Sequence, residues 1–580
     1  MTQETIPAAD GRAAAQVLEQ IAAFLELKGE NPFRIRAFRT AAKALAGVGG
    51  DLRGALAGGA LAGTKGVGPA TLQIVQEVAD TGRSTLLEEL REQVPPGLVE
   101  MLAISGLGVA KIRQIHEVLG IESIPELEAA AQDGRLAELP RFGARTAENI
   151  LKSIAFLRRA SAYRLLHHAD DEAEGLRTAL ARLPGVREAI VAGDVRRRME
   201  VVRDVVVVLV ADAAPDEIFA RLGTLPGVRE FAGRDERQVT LRVAGGSTAQ
   251  VVVTTPRNAG AVLLQATGSA AHLEALAAHA AARGCSLDGA AIWRGSEFVV
   301  TPDEAAAYAA LGLPAIPPEL REGGGEIEAA AAGTLPRLLE SGDLRGFLHC
   351  HTSYSDGTTS VADLARAVRD AGYAWMGITD HSRSAAYAGG LSPDDLLRQA
   401  DEIDAVGAGL PGFRVLKGIE ADILVDGALD YDDATLARLD FVIGSIHSRF
   451  NLGEREMTDR ILRALEHPAL TILGHPTGRL LLSREAYRLD LERVFERAAA
   501  TGVALEINAD PHRLDLDWRV LRRAREAGAL VSIGADAHNI AGIGNIRFGV
   551  DVARKGWLGA ADILNTRDVD DFLAHARRHR

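Results

Sequence analysis

From Arg12 to about Arg159, apolar residues recur at three- and four-residue spacing and are interrupted by short Gly-containing turns, which predicts an array of small helices. After residue 160 the period changes. β-Branched runs at 189–191, 200–210, 238–243 and 250–255 alternate with helical stretches at 172–182 and 270–282, the pattern of an α+β region. Around Gly323 to Gly333 the chain is rich in Gly and Ala and poor in large apolar residues, so a linker is expected there. From Leu344 onward, strand-like runs at 375–379, 415–418, 441–446, 469–473, 503–507 and 531–533 alternate with amphipathic helices, which predicts a parallel α/β barrel of TIM type.

A length of 580 residues calls for roughly three to four domains. The longest purely apolar run, Val205 to Ala211, is far below the ~18 residues of a membrane span, and the N-terminus does not read as a secretory signal. A cytoplasmic location is expected, and two cysteines, Cys285 and Cys350, cannot build a disulfide framework. The net charge of −14 speaks against bulk attraction to nucleic acid, but residues 1–160 sum to only −1 and carry basic runs at 34–39 and 152–159. Histidine is skewed the other way, with 10 of 15 beyond residue 340, a first hint of a metal site.

One turn type recurs in the helical region. It reads Gly66-Val-Gly68-Pro, then Gly106-Leu-Gly108-Val-Ala-Lys111, then Phe142-Gly143-Ala-Arg145, each ahead of a new helix. Such turns bring backbone N–H groups to a helix N-terminus, where the dipole suits a phosphate oxygen and no base is read. Ordinary helix hairpins would explain one copy; three copies within about 80 residues favour a grip on a DNA backbone.

In the expected barrel, nearly every strand ends in a metal-capable residue: His349 and His351, Asp356, His381, Glu420, His447, His475, Asp536 and His538. Residues two apart on a strand share a face, so His349 with His351 and Asp536 with His538 should converge while Cys350 points away. Nine imidazole and carboxylate groups exceed the four of a structural zinc site and suit two or three catalytic divalent ions, an arrangement that serves phosphate ester hydrolysis.

The motifs Leu348-His-Cys-His351, Ile378-Thr-Asp-His381, Gly418-Ile-Glu420, Ser445-Ile-His447, Gly474-His475-Pro-Thr-Gly and Gly534-Ala-Asp536-Ala-His538 resemble the polymerase and histidinol phosphatase (PHP) domain, and all nine of its metal positions are filled. The resemblance implies a trinuclear cluster, manganese first and zinc as the alternative, and phosphoester hydrolysis. Arg479, after the His-Pro-Thr-Gly turn, is a candidate phosphate contact.

Taken in order, the whole chain resembles the bacterial family X DNA polymerases of the PolX type. The expected domains are an N-terminal helical domain (1–90), a fingers-like helix-hairpin-helix domain (91–160), palm and thumb (161–320), a linker (321–343) and a PHP domain (344–580). Thr267-Gly268-Ser269 resembles the family's nucleotide-pocket turn, and Gly193-Asp-Val-Arg196-Arg197 its triphosphate cradle, with Asp194 where Ser is usual. Where members with lyase activity carry lysine, this chain has Ala70 and Ile74, which argues against that chemistry. Nucleotidyl transfer needs an Asp-x-Asp pair and a third acid, yet the pair reads Asp204-Val-Val206 and the third strand reads Gln250-Val-Val-Val253. Magnesium or manganese should bind weakly at one carboxylate. The expected protein is a monomeric, metal-dependent 3′-5′ exonuclease acting on DNA gaps or 3′ ends, with dNTP-dependent synthesis weak or lost. The alternatives are a working manganese-dependent gap-filling polymerase, a non-catalytic DNA-end scaffold and a small-molecule phosphatase.

Overall fold

The computed structural model describes residues 11–578, apart from 47–51, 53–55, 57–60, 62–66, 105, 224, 226–227, 244–247 and 289–290. The chain divides into two compact units, Met1–Ser161 and Ala162–Arg580. No helix among the described residues is long and apolar enough to cross a membrane.

The first unit is helical, as the spacing predicts. Its main helices are Gly11–Lys28, Pro32–Ala46, Pro69–Thr81, Thr85–Gln93, Val109–Leu119, Ile124–Gln132 and Ala144–Ala160. Their apolar stripes meet in one core that includes Leu18, Ile21, Leu45, Met101, Ile112, Ile115 and Leu127, all fully buried.

After the helix Leu166–Ala181, the second unit builds a five-stranded sheet: β1 (Val186–Ala192), β2 (Val205–Ala211), β3 (Val228–Arg234), β4 (Gln238–Val243) and β5 (Thr248–Thr254), in spatial order β1-β2-β5-β4-β3. Its unbroken valine run follows from burial on both faces of β2. Val205, Val207 and Leu209 enter the main core with Ile218 and Phe219, while Val208 packs against Val262 and Leu263. The periodicity does not announce β3, an edge strand with mostly exposed residues and arginine at Arg229 and Arg234. It also misses a short antiparallel sheet of β6 (Cys285–Asp288), β7 (Ala291–Arg294) and β8 (Glu297–Val299).

The stretch expected as a linker at 321–343 is folded instead. Gly323 and Gly325 turn the chain at positive φ (75° and 90°), and the helix Glu326–Ala332 follows. A Cβ on Gly323 would lie 2.7 Å from that of Ala271, so glycine permits a close approach here. Glu326, 1% exposed, accepts hydrogen bonds from His272 Nδ1 (2.7 Å) and the Gly323 N–H (3.0 Å). Small residues in this segment therefore serve close packing, which composition alone does not distinguish from flexibility.

The barrel strands are β9 (Gly346–Cys350), β10 (Trp375–Ile378), β11 (Arg414–Lys417), β12 (Glu420–Asp422), β13 (Ile443–Ser445), β14 (Ile472–Leu473), β15 (Ala504–Asn508) and β16 (Val531–Ala537). All pairings are parallel, in the order β11-β10-β9-β16-β15-β14-β13-β12. The two ends of that order, β11 and β12, are separated only by Gly418-Ile419, so one bent segment closes the curl into a distorted TIM-like barrel. Glycine is required at the bend because a Cβ on Gly418 would meet the Phe441 ring at 2.5 Å and the Ile378 carbonyl at 2.7 Å.

Charged side chains hold barrel and sheet region together. Arg519 pairs with Glu200 (2.6 Å), which also accepts from Trp518 Nε1 (3.1 Å). Arg198 pairs with Asp170 (2.7 Å) and Asp551 (3.4 Å), and Arg554 with Glu319 (2.7 Å). Buried Lys555 donates to Glu322 and to the Arg197 carbonyl. Burial pushes the Asp551 carboxyl up to about 6 against the pull of Arg198, with Glu319 and Asp170 adding to the rise. A carboxyl raised in the folded state costs stability as pH climbs through its unfolded and folded values, and the cost is complete above about 6. Asp551→Asn should therefore stabilise the protein at pH 8, by about 3 kcal/mol, and much less at pH 4.5. Thermal melts of both proteins at the two pH values check this; equal effects at both would refute it.

Candidate metal centre

The nine histidine, aspartate and glutamate residues singled out above stand at or just beyond the C-terminal ends of the barrel strands, and the fold gathers them. Their donor atoms form four overlapping groups, each within 4.8 Å: His351, Asp356, His381 and His538; His349, His351 and Asp536; His349, Glu420 and His475; His381, Glu420 and His447. Glu420 occupies the middle. Its carboxylate lies 2.9 Å from His381 Nδ1, 3.0 Å from His475 Nε2, 3.3 Å from His447 Nε2, 3.4 Å from His349 Nε2 and 3.8 Å from His351 Nε2. Asp536 reaches His351 at 3.2 Å, and Asp356 reaches His538 at 3.1 Å.

Strand alternation accounts for only part of this convergence. The pairing of β9 with β16 shifts register between Leu348 and Cys350, and His349, His475 and Asp536 have positive φ (58°, 26° and 49°). Non-glycine residues enter that region at a cost, which clusters where surrounding structure compels it. Cys350 turns away, and its thiol meets the Gly377 carbonyl at 3.3 Å.

Carboxylates behind the cluster orient the rings. Glu506 accepts from His349 Nδ1 at 2.5 Å and from the His475 N–H at 2.7 Å, and Asp422 accepts from His447 Nδ1 at 2.5 Å. A carboxylate that takes the Nδ1 proton leaves the Nε2 lone pair for the interior of the site. Burial disfavours the charged carboxylates of Glu420 and Asp536, but the surrounding imidazoles hold both well below the usual range. Burial pushes His351 down to about 4, with the neighbouring His538 and His381 adding to the fall.

The donors fit divalent ions. Among the described residues, His349 Nε2, both ring nitrogens of His351, Asp356 Oδ1, Glu420 Oε2 and His475 Nδ1 are buried without a hydrogen-bond partner. Unpaired polar atoms are costly inside a protein, and so many at one focus suit cations. Six imidazoles with three carboxylates match manganese, zinc or iron better than magnesium, which prefers oxygen.

Arg479, the expected phosphate contact, has its guanidinium engaged within the protein: it donates to the carbonyls of Arg513 (3.0 Å) and Leu514 and pairs with Asp517 (2.6 Å). The arginine beside the cluster is Arg513, whose Nε lies 3.4 Å from Asp536 Oδ2. Arg479 thus braces the loop that carries Arg513. The sequence reading missed Arg513, Glu506 and Asp422; the only local signal is an acid two residues past Glu420 on the same strand face.

In the five-stranded sheet, Asp204 immediately precedes β2 and accepts from the Thr248 hydroxyl. Val206 pairs in register with Gln250, whose side chain meets Gln238 at 3.3 Å, so no second acid stands at either place. The nucleotide-pocket residues do gather, but their donors are taken. Arg196 makes a two-pronged pair with Glu304 (2.8 and 2.6 Å) and reaches Thr267 Oγ1 (2.9 Å). Arg197 pairs with Glu322 (3.0 Å) and Asp194 and donates to the Thr267 carbonyl. Gly193 has φ 62°, and a Cβ there would strike Val206 Cγ2 at 2.8 Å; Gly268 lies against Arg197, and Ser269 caps the helix Ala270–Ala281.

Of the helical turns, Gly68, Gly108 and Gly143 are each the extended residue that opens a helix, and a Cβ on any of them would meet nothing within 4 Å. Lys111 Nζ bonds the Gly106 carbonyl (2.9 Å), and Arg145 is exposed. Gly66 lies outside the described residues.

Four family models match: a helix-hairpin-helix domain over 11–84, a SAM-like helix-hairpin-helix tandem over 98–155, the DNA polymerase beta thumb over 262–322 and the PHP domain over 348–510. Asp536 and His538 lie beyond the last match but share its cluster. The chain is 36% identical over 568 residues to the DNA polymerase/3′-5′ exonuclease PolX of Bacillus subtilis, covering 97% of this chain and 99% of that protein. It is also similar to a probable phosphatase of Syntrophotalea carbinolica (29% identical; 27% of this chain, 66% of that protein). A probable phosphatase of Thermoanaerobacter is 26% identical (40% of this chain, 94% of that protein).

Manganese added to chelator-stripped protein should raise the melting temperature, the gain reaching about 2.7 kcal/mol at a hundredfold excess over Kd. Glu420→Gln should remove most of the bound metal, measured by elemental analysis, and Arg479→Ala should remove none. Retention of full metal by Glu420→Gln would refute the central place given to that carboxylate.

Proposed function

This chain belongs to the PolX family of DNA polymerase/3′-5′ exonucleases, and on that premise we propose that it removes nucleotides from DNA 3′ ends at the barrel's metal centre while its polymerase cleft synthesises weakly or not at all. The observation that carries this reading is the contrast between the two centres: nine converging donors in the barrel, and one carboxylate, Asp204, in the cleft. Its domains are read as 1–90, 91–160, 161–320 and 344–580, with the packed segment 321–343 joining the last two.

His349, His351, Asp356, His381, Glu420, His447, His475, Asp536 and His538 would hold two or three divalent ions, manganese first and zinc as the alternative. Such ions supply a water of lowered pKa and neutralise charge that develops on the phosphate. Glu506 and Asp422 fix the tautomers of His349 and His447. Arg513, held charged by Asp536 and Glu420 against the pull of burial, is oriented to receive a non-bridging phosphate oxygen. Gly66, Gly68, Gly106, Gly108, Lys111, Gly143 and Arg145 would hold the DNA backbone, so strand scission occurs on a tethered substrate.

In the cleft, two effects act together. Val206 and Gln250 leave a nucleotidyl-transfer ion short of ligands, and Asp194, Glu304 and Glu322 neutralise the arginines that a triphosphate would need. A manganese-dependent gap-filling polymerase remains the second reading, because Asp204 is retained and manganese tolerates imperfect ligation.

A labelled primer on gapped template separates these. With manganese, the wild type should shorten the primer, and His349→Ala with Asp536→Ala should abolish shortening by a factor of at least ~10². Asp204→Ala should leave it unchanged. Nucleotide-dependent extension that Asp204→Ala abolishes would establish the polymerase reading. Turnover of a free phosphomonoester with no change to any DNA would instead establish a phosphatase.

A further inference from the structure

The metal centre does not by itself distinguish a nucleic-acid end from a small phosphate ester; the difference must lie in what surrounds the phosphate. We propose that Tyr387 is a stacking platform for the base of the 3′-terminal nucleotide, which makes the barrel site selective for nucleotide-bearing phosphoesters. The proposal rests on the exonuclease reading above and deepens it.

Three observations carry it. The Tyr387 side chain is 72% exposed, yet its ring centroid lies 6.2 Å from that of His381 and 6.4 Å from that of His447, two members of the cluster. A planar, amphipathic ring at that place borders the position of a bound phosphate while keeping a face open.

The turn that presents the ring is tightly built. Flanking Ala385 and Ala388 are buried, Asp430 accepts from the Ser382 hydroxyl (2.7 Å) and the Ser384 N–H (2.9 Å), and the Leu391 N–H returns to the His381 carbonyl (2.9 Å). A Cβ on Gly390 would stand 1.9 Å from the Ser382 carbonyl oxygen, so the return path closes on itself. An aromatic side chain held out from such a turn loses little freedom when a base lies on it.

Two other loops beyond the barrel strands also expose apolar side chains. Leu424 and Val425 follow Glu420 and Asp422, and Ile540 follows His538; these and Tyr387 are four of the large apolar residues exposed among the described residues. Single exposed apolar residues are ordinary, but among the described residues four of the five large apolar residues exposed in the barrel stand in loops that follow metal-capable residues, Leu397 on a helix being the other, and this makes a rim suited to a base. Base–aromatic stacking is tolerant of sequence because every base has a π-face, which suits an enzyme that must remove any nucleotide. Arg513 lies against Asp536 in the same cluster, so phosphate and base would be received by different groups.

Two measurements test the proposal with the full-length protein. In the first, a single-stranded oligonucleotide carrying 2-aminopurine at its 3′ end is titrated with wild type, Tyr387→Ala and Tyr387→Phe. Stacking quenches this base, so the wild type and Tyr387→Phe should quench it and Tyr387→Ala should not; equal quenching by all three overturns the proposal. In the second, manganese-dependent shortening is followed on oligonucleotides whose 3′-terminal residue has a base or is abasic. Tyr387→Ala should raise KM roughly tenfold on the first and leave kcat and KM on the second within twofold, with Tyr387→Phe close to wild type. Equal losses on both substrates would make Tyr387 a structural residue and overturn the proposal. Absence of cleavage by the wild type would refute the exonuclease reading, while the fluorescence titration still decides whether the base stacks.

Discussion

Burying a carboxylate costs several kcal/mol unless its charge is matched, and Glu420 is 1% exposed beneath five imidazoles. Much of the barrel's irregularity can be understood from that constraint. The bend at Gly418-Ile419 both closes the barrel and ends one strand so that the next begins at Glu420. Rings approach from four other strand ends, two of them fixed by Glu506 and Asp422, and three of the cluster residues accept left-handed backbone to reach their places. Several of these donors have no hydrogen-bond partner among the described residues, and a geometry that leaves them open suits a receptacle for cations.

The sheet region presents the converse. There the cationic groups Arg196, Arg197 and Arg321 are paired with acids from the protein itself. A phosphate approaching a guanidinium already paired with fixed carboxylates must first displace partners that are oriented. The two halves of the chain thus use the same residue types for opposite ends, one to leave donors open and one to satisfy them.

Much of this was legible beforehand because the relevant signals are local. Strand-end histidines, Gly-turn repeats and the missing acids at 206 and 250 lie within a few residues of their elements, and the barrel follows from the alternation of strand and helix. What escaped depends on contacts distant in sequence. Glu506 meets His349 across 157 residues, and no spacing rule reveals that an acid in the middle of β15 faces a histidine on β9. Arg479 and Arg513 are alike as letters; only the fold shows that one braces the backbone of the other. The Gly/Ala-rich segment failed for a different reason, since small residues serve tight packing and loose tethers equally, and only the neighbours Ala271 and His272 decide.

The ion pairs between sheet region and barrel have a consequence for how this sequence can change. Glu322 is shared by Arg197 and Lys555, and Glu200 by Arg519 and Trp518. Neutralising one shared acid strands two donors at once, whereas changing acid and bases together leaves nothing unpaired. Drift at these positions should therefore proceed by compensating sets. The seam therefore ties change in the sheet region to change in the barrel.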